Sequence, residues 1–140
     1  MIEPRVHGDE RGFFMEVWHR RKFAEHGVDC ELVQDNYSRS AGGTLRGLHY
    51  QLVQPQGKLV RVTVGEIFDV AADLRRSSPT FGQWVGTYLS AENRRMLYIP
   101  EGFAHGYQTL ADASEVFYQM SAPYVPSHGR GVRFDDPVFG

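Results

Sequence analysis

An all-β barrel or jelly roll is the fold class predicted for this 140-residue chain, and three observations predict it. Fifteen Gly and seven Pro punctuate short segments rich in β-branched and aromatic residues, as expected where strands are separated by tight turns. Long stretches of helical periodicity are missing. Period-two alternation is explicit in the middle of the chain, where Val60, Val62 and Val64 interleave with Leu59, Arg61 and Thr63. A chain of this length buries roughly two thirds of its extended surface in one core, so a single domain over residues 1–140 is expected.

Taken in chain order, the first element is the only convincing helix, from His19 to His26. Gly27 follows it where a left-handed residue would end it. The helix is short and peripheral. A strand is expected around His49, flanked by Arg46 and Gln51. The segment from Lys58 to Leu74 reads as a hairpin turning at Gly65-Glu66. Period two puts Lys58 on the face of Val60, Val62 and Val64, with its stem along the interior and its ammonium at the mouth. Further strands are expected at Trp84 to Leu89, Arg95 to Ile99, Gly106 to Leu110 and Glu115 to Met120. Turns fall at Ala91-Glu92-Asn93 and Ala111-Asp112-Ala113.

Composition narrows the class of function. The formal net charge is −2 and the basic residues form no long run, so a nucleic-acid footprint is absent while a small anionic ligand stays open. No apolar run approaches the ~20 residues that span a bilayer, and Met1 to Arg5 lack the pattern of a secretory signal. The cytoplasm is the expected location. Cys30 is the single cysteine, which excludes an internal disulfide and a clustered thiolate site, and a small core role is expected for it.

Four runs mix polar and apolar residues in ways that no simple strand face explains. They are Asp9 to Glu16, Gln34 to Ser38, Leu45 to Gln51, and Ile99 to Gly106. A lone histidine in an apolar strand is usually a hydrogen-bonded core residue. His49, however, has Arg46, Gln51 and Lys58 converging on one end of a β cavity, and burying that set without ligand or solvent is costly. A metal-dependent oxygenase or isomerase using His49, Gln51 and His105 is one competing use. The run Pro100-Glu101-Gly102-Phe103-Ala104-His105 is similar to the second signature of the cupin superfamily. The first signature's His-x-His with a spaced Glu is replaced here by His49-Tyr50-Gln51, and two histidines fall short of the roughly three protein ligands that zinc or non-haem iron wants.

Taken together, these runs resemble the dTDP-4-dehydrorhamnose 3,5-epimerase family, a metal-independent branch of the cupins. The resemblance covers nearly the whole chain. It runs through Arg11-Gly12-Phe13-Phe14, Gln34-x-Asn36-x-Ser38, Leu45 to Gln51, Gln56 to Val60, Asp69 to Arg75, Ser78 to Gly82 and Ile99 to Tyr107. It implies a cupin-type jelly-roll β-barrel with no cofactor and no metal, acting on a dTDP-4-keto-6-deoxyhexose in rhamnose-type deoxysugar biosynthesis. Separately, barrel edges left exposed by shortened ends favour pairing, so a homodimer is expected.

By the same resemblance, His49 of Arg46-Gly47-Leu48-His49 is the general base that removes the proton α to the C4 ketone. An imidazole of ordinary pKa ~6.5 suits that task. Tyr118 is the proton donor on the opposite face, and Tyr124 matches the tyrosine that stacks on thymine. The enolate needs a donor or cation in a dry site; Lys58 is the candidate, with His105 beside it. Asp69, inward by alternation, is read from the residues as an orienter of His105. Arg11, Glu16, Gln34, Asn36 and Arg46 match family positions that hold the nucleotide diphosphate and sugar, a role for which the guanidinium fork is well shaped.

The chain departs from the family at both ends, which are shorter here. The resemblance implies that a C-terminal carboxylate partner of the catalytic histidine and a basic residue have no matching position. Gly129 stands where a ligand-binding Glu is usual. These departures keep a second class open, a non-catalytic cupin that binds a sugar nucleotide.

Overall fold

The computed structural model describes all residues from 1 to 140. Eleven strands form a small hairpin sheet and two larger sheets. The hairpin pairs β1 (Val6–Asp9) with β2 (Gly12–Met15). The helix α1 (Arg20–Glu25) follows, capped by the His19 ring accepting from the Lys22 N–H and ended before Gly27 at φ +93°. The remaining strands are β3 (Gln34–Ser40), β4 (Leu45–Gln51), β5 (Lys58–Val64), β6 (Glu66–Asp73), β7 (Trp84–Ser90), β8 (Met96–Ile99), β9 (Phe103–Thr109), β10 (Ser114–Met120) and β11 (Gly129–Gly131). They assort into a four-stranded sheet, β3-β10-β5-β8, and a five-stranded sheet, β11-β4-β9-β6-β7.

Successive strands alternate between these sheets almost throughout, so residues close in sequence face each other across the interior. This overturns the expected hairpin at Gly65. β5 pairs with β10 and β8, whereas β6 pairs with β7 and β9. Gly65, at φ +82°, is a corner where the chain crosses from one sheet to the other. A Cβ there would lie 2.4 Å from the Ser114 hydroxyl, so the corner admits only glycine. The same alternation that suggests a hairpin serves a crossing equally well, because burial on one face does not say which neighbour supplies the hydrogen bonds.

The core lies between the sheets: Val60, Val62, Leu97, Ile99 and Val116 from one side, Ile67, Ala71, Leu89 and Tyr107 from the other. Cys30 is half-buried at the margin rather than in this core, with its sulfur 3.8 Å from the Tyr98 hydroxyl. The long β6–β7 connection is tied down by buried Asp73. Its carboxylate accepts from the Arg75 backbone and guanidinium and from the Ser78 and Thr80 hydroxyls. No helix is long and apolar enough to cross a membrane.

Candidate active site

Strand β4 places His49, and a local irregularity decides where it points. Arg46 pairs with Tyr107 and His49 with His105, so the three-residue step along β4 matches a two-residue step along β9. This bulge brings Arg46 and His49 to the same inward face, which strict alternation would forbid. Two glycines make it possible. A Cβ on Gly47 (φ +105°) would come within 2.5 Å of the His105 carbonyl, and one on Gly106 within 2.8 Å of the Arg46 carbonyl.

Inside the open end of the barrel lies a hollow of about 490 Å³. His49 enters it from the five-stranded sheet. Lys58 and Tyr118 enter from the four-stranded sheet, where Tyr118 on β10 lies opposite Val60 of β5 and Asn36 of β3. Tyr124 and Arg130 also line it. His105 is 5% exposed and lies behind the lining, its ring centroid 6.5 Å from that of Tyr118. Its Nε2 meets the Asp69 Oδ1 at 2.6 Å, and Asp69 Oδ2 has no hydrogen-bond partner.

The electrostatics suit a neutral base beside a cation. Burial, then the Lys58 ammonium, then His105 hold the His49 ring below its ordinary pKa, favouring the unprotonated form that can accept a proton. Burial likewise lowers Lys58, opposed by the charge of Asp69. Asp69 bonds His105 and not His49.

The hollow thus gathers His49, Lys58, Tyr118, Asn36 and Tyr124. Gln34 joins through Asn36, to whose Oδ1 it donates at 3.1 Å. Arg46 stays off the lining and donates to Ser40 at 2.9 Å. The expectation that Arg11 and Glu16 face the same ligand is not met within the chain. Both sit on or beside the β1–β2 hairpin, a sheet separate from the barrel, and they pair there with Asp9 and Lys22. Gln51 is not an open ligand either. Its amide donates to the Gln54 and Pro123 carbonyls and accepts from the Val125 N–H.

Sequence reasoning missed Gln56 and Arg130 as lining residues. Gln56 stands in the run just before Lys58, two residues away and therefore on the same side of an extended chain. Nothing local marks Arg130, which reaches the hollow only because β11 adds to the edge of β4.

A family model described as dTDP-4-dehydrorhamnose 3,5-epimerase matches residues 1–140. The Pseudomonas aeruginosa protein of that name is 57% identical over 138 residues, a span of 98% of this chain and 76% of the relative. The Methanothermobacter thermautotrophicus protein of that name is 54% identical over 140 residues, 100% of this chain and 76% of its own length. Among solved structures, the Legionella pneumophila dTDP-6-deoxy-D-glucose-3,5-epimerase in complex with dTDP-4-keto-L-rhamnose superposes with a TM-score of 0.95 at 50% identity, over 98% of this chain and 73% of that one. The Bacillus anthracis dTDP-4-dehydrorhamnose 3,5-epimerase with TDP and PPi bound gives 0.94 at 47% identity, over 96% and 78%. With its two-sheet barrel and a match along its entire length, the chain belongs to the dTDP-4-dehydrorhamnose 3,5-epimerase family and is an enzyme with the cupin-type fold of that family.

Proposed function

We propose that this chain, a single epimerase domain, inverts C3, C5 or both of a dTDP-linked 4-keto-6-deoxyhexose, with His49 as base and Tyr118 as acid. The observation that carries this reading is the entry of the imidazole and the phenol into one hollow from opposing sheets. Unprotonated His49 takes the proton from the carbon α to the C4 ketone, and the C–H electrons pass into the enolate, with the charge on O4. The Lys58 ammonium, which lines the same hollow, offsets that charge. Tyr118 then delivers its proton to the other face of the carbon as the ketone reforms. The products are an inverted centre, a phenolate and an imidazolium, and solvent restores both groups.

Asn36, Gln34, Arg46 and Tyr124 are proposed to hold the sugar nucleotide, with Tyr124 against the base. His105, fixed by Asp69, supports Lys58 at the enolate oxygen. A nucleotide-linked substrate fits a cytoplasmic reaction. The exposed Phe13 (58%) and Phe14 (73%) of the β1–β2 hairpin suit an interface with a second copy, so we propose a homodimer.

Proton NMR of the substrate in heavy water tests the chemistry. Deuterium enters at C3, C5 or both with the intact protein, and His49→Ala slows that entry by about 10²- to 10⁴-fold. An intact protein that incorporates no deuterium would end the proposal.

A further inference from the structure

Strand pairing sets Asn36 directly across from Tyr118 and Gln34 across from Met120, so both amides share the inward face of the phenol. Three hydrogen bonds run from there in one direction. The Tyr124 N–H donates to Gln34 Oε1 at 2.8 Å, Gln34 Nε2 donates to Asn36 Oδ1 at 3.1 Å, and Asn36 Nδ2 donates to the Tyr118 phenol oxygen at 3.4 Å. On the other side of the hollow Gln51 accepts the Val125 N–H at 2.9 Å. The backbone that carries Tyr124 is thus pinned from both sheets.

Direction matters here. Each amide has a donor end and an acceptor end, and because Gln34 spends its carbonyl on Tyr124 it presents its NH2 to Asn36. Asn36 must then turn its own NH2 to Tyr118. The phenol oxygen therefore receives a hydrogen, leaving its own O–H free for another partner in the hollow that Tyr118 lines. Once Tyr118 has given up its proton, the same Asn36 N–H faces a phenolate. A bond of 3.4 Å is long for the neutral pair and gains strength with an ionised acceptor.

We propose that Asn36, oriented by Gln34, is a positioning residue for the proton donor, and that this amide chain couples the seating of the Tyr124 segment to the aim of the Tyr118 hydroxyl. The inference rests on the assignment of Tyr118 as the acid. Its consequence is stereochemical. When the phenol loses its aim, the enolate is reprotonated more often by the His49 imidazolium on the face it left. Where that exposed ring has first traded the abstracted proton for one from solvent, the result is exchange without inversion.

The experiment measures, in heavy water, the ratio of deuterium incorporation with retention to incorporation with inversion. Both events follow one proton abstraction from bound substrate, so weaker binding or a smaller folded fraction leaves the ratio unchanged. Asn36→Ala is expected to raise it about tenfold, the worth of a hydrogen bond to a charged group. Asn36→Asp, the same shape without the donor, raises it at least as far. Gln34→Glu keeps the acceptor for Tyr124 but cannot donate to Asn36, and it raises the ratio by a smaller factor.

Tyr118→Phe is the reference and gives the highest ratio. If Tyr118→Phe leaves the ratio at the wild-type value, the acid assignment and this inference fall together. If Tyr118→Phe raises it while the Asn36 and Gln34 variants stay at the wild-type value, the positioning role alone is overturned.

Discussion

Two carboxylates on β6, four residues apart and both sealed from solvent, have opposite circumstances. Asp73 is 1% exposed and saturated: three bonds of 2.9 Å from Arg75, one of 2.7 Å from Ser78 and another from Thr80. The Arg75 guanidinium, against the cost of burial, holds its carboxyl well below the usual carboxylate range. Asp69 is 0% exposed, yet it has one bond, to His105, and one oxygen with no hydrogen-bond partner. A buried acid with every lone pair taken holds a loop in place and has nothing left for a ligand. A buried acid left short is costly for the fold and belongs where chemistry needs its charge. Here Asp69 opposes the lowering of Lys58, whereas Asp73 acts on the β6–β7 connection alone.

Removing each acid in turn sharpens that contrast. The largest effect is expected from Asp73→Ala, which strands several donors and lowers unfolding stability by about 3 kcal/mol, measured by urea denaturation. The rate of exchange per folded molecule stays close to that of the parent. The sign with pH follows from its lowered folded-state pKa. The stabilisation is complete above the unfolded value of ~3.9 and is lost as pH falls toward the folded value, so the gap between parent and variant narrows in acid. A variant of unchanged stability would show that the saturated carboxylate does not hold the loop.

Asp69→Asn comes next. The amide keeps an acceptor for His105 but loses the charge, and turnover is expected to fall about tenfold with little change in denaturation midpoint. Loss of stability without loss of turnover would give Asp69 the same purely structural role as Asp73.

The smallest effect is a displacement along the pH axis. His49 must be neutral to act, and burial followed by Lys58 and His105 lowers its pKa, so the acid limb of kcat/KM lies below the ordinary imidazole value of ~6.5. Lys58→Gln removes the ammonium but not the burial. The limb moves to higher pH while remaining below the ordinary value, alongside a lower maximal rate. A limb that stays in place would separate Lys58 from His49.

Much of this arrangement is legible in the chain itself. The run from His19 to Gly27 carries a short helical stretch and a left-handed stop, and the structure has both, while the cap by the His19 ring shows only in the structure. Alternation from Lys58 onward places the lysine on the inner face with Val60 and Val62. Such features depend on neighbours within a few residues, where sterics and side-chain period act directly.

The corner at Gly65, the bulge that turns His49 inward, the separation of Arg11 and Glu16 from the hollow and the link from Asn36 to Tyr118 are of another kind. Each depends on which strand lies beside which, and Asn36 and Tyr118 are 82 residues apart. A two-residue period states that a side chain faces inward but not what it will meet there. That choice falls to the packing of two sheets against each other, where burial of the whole core outweighs any local preference.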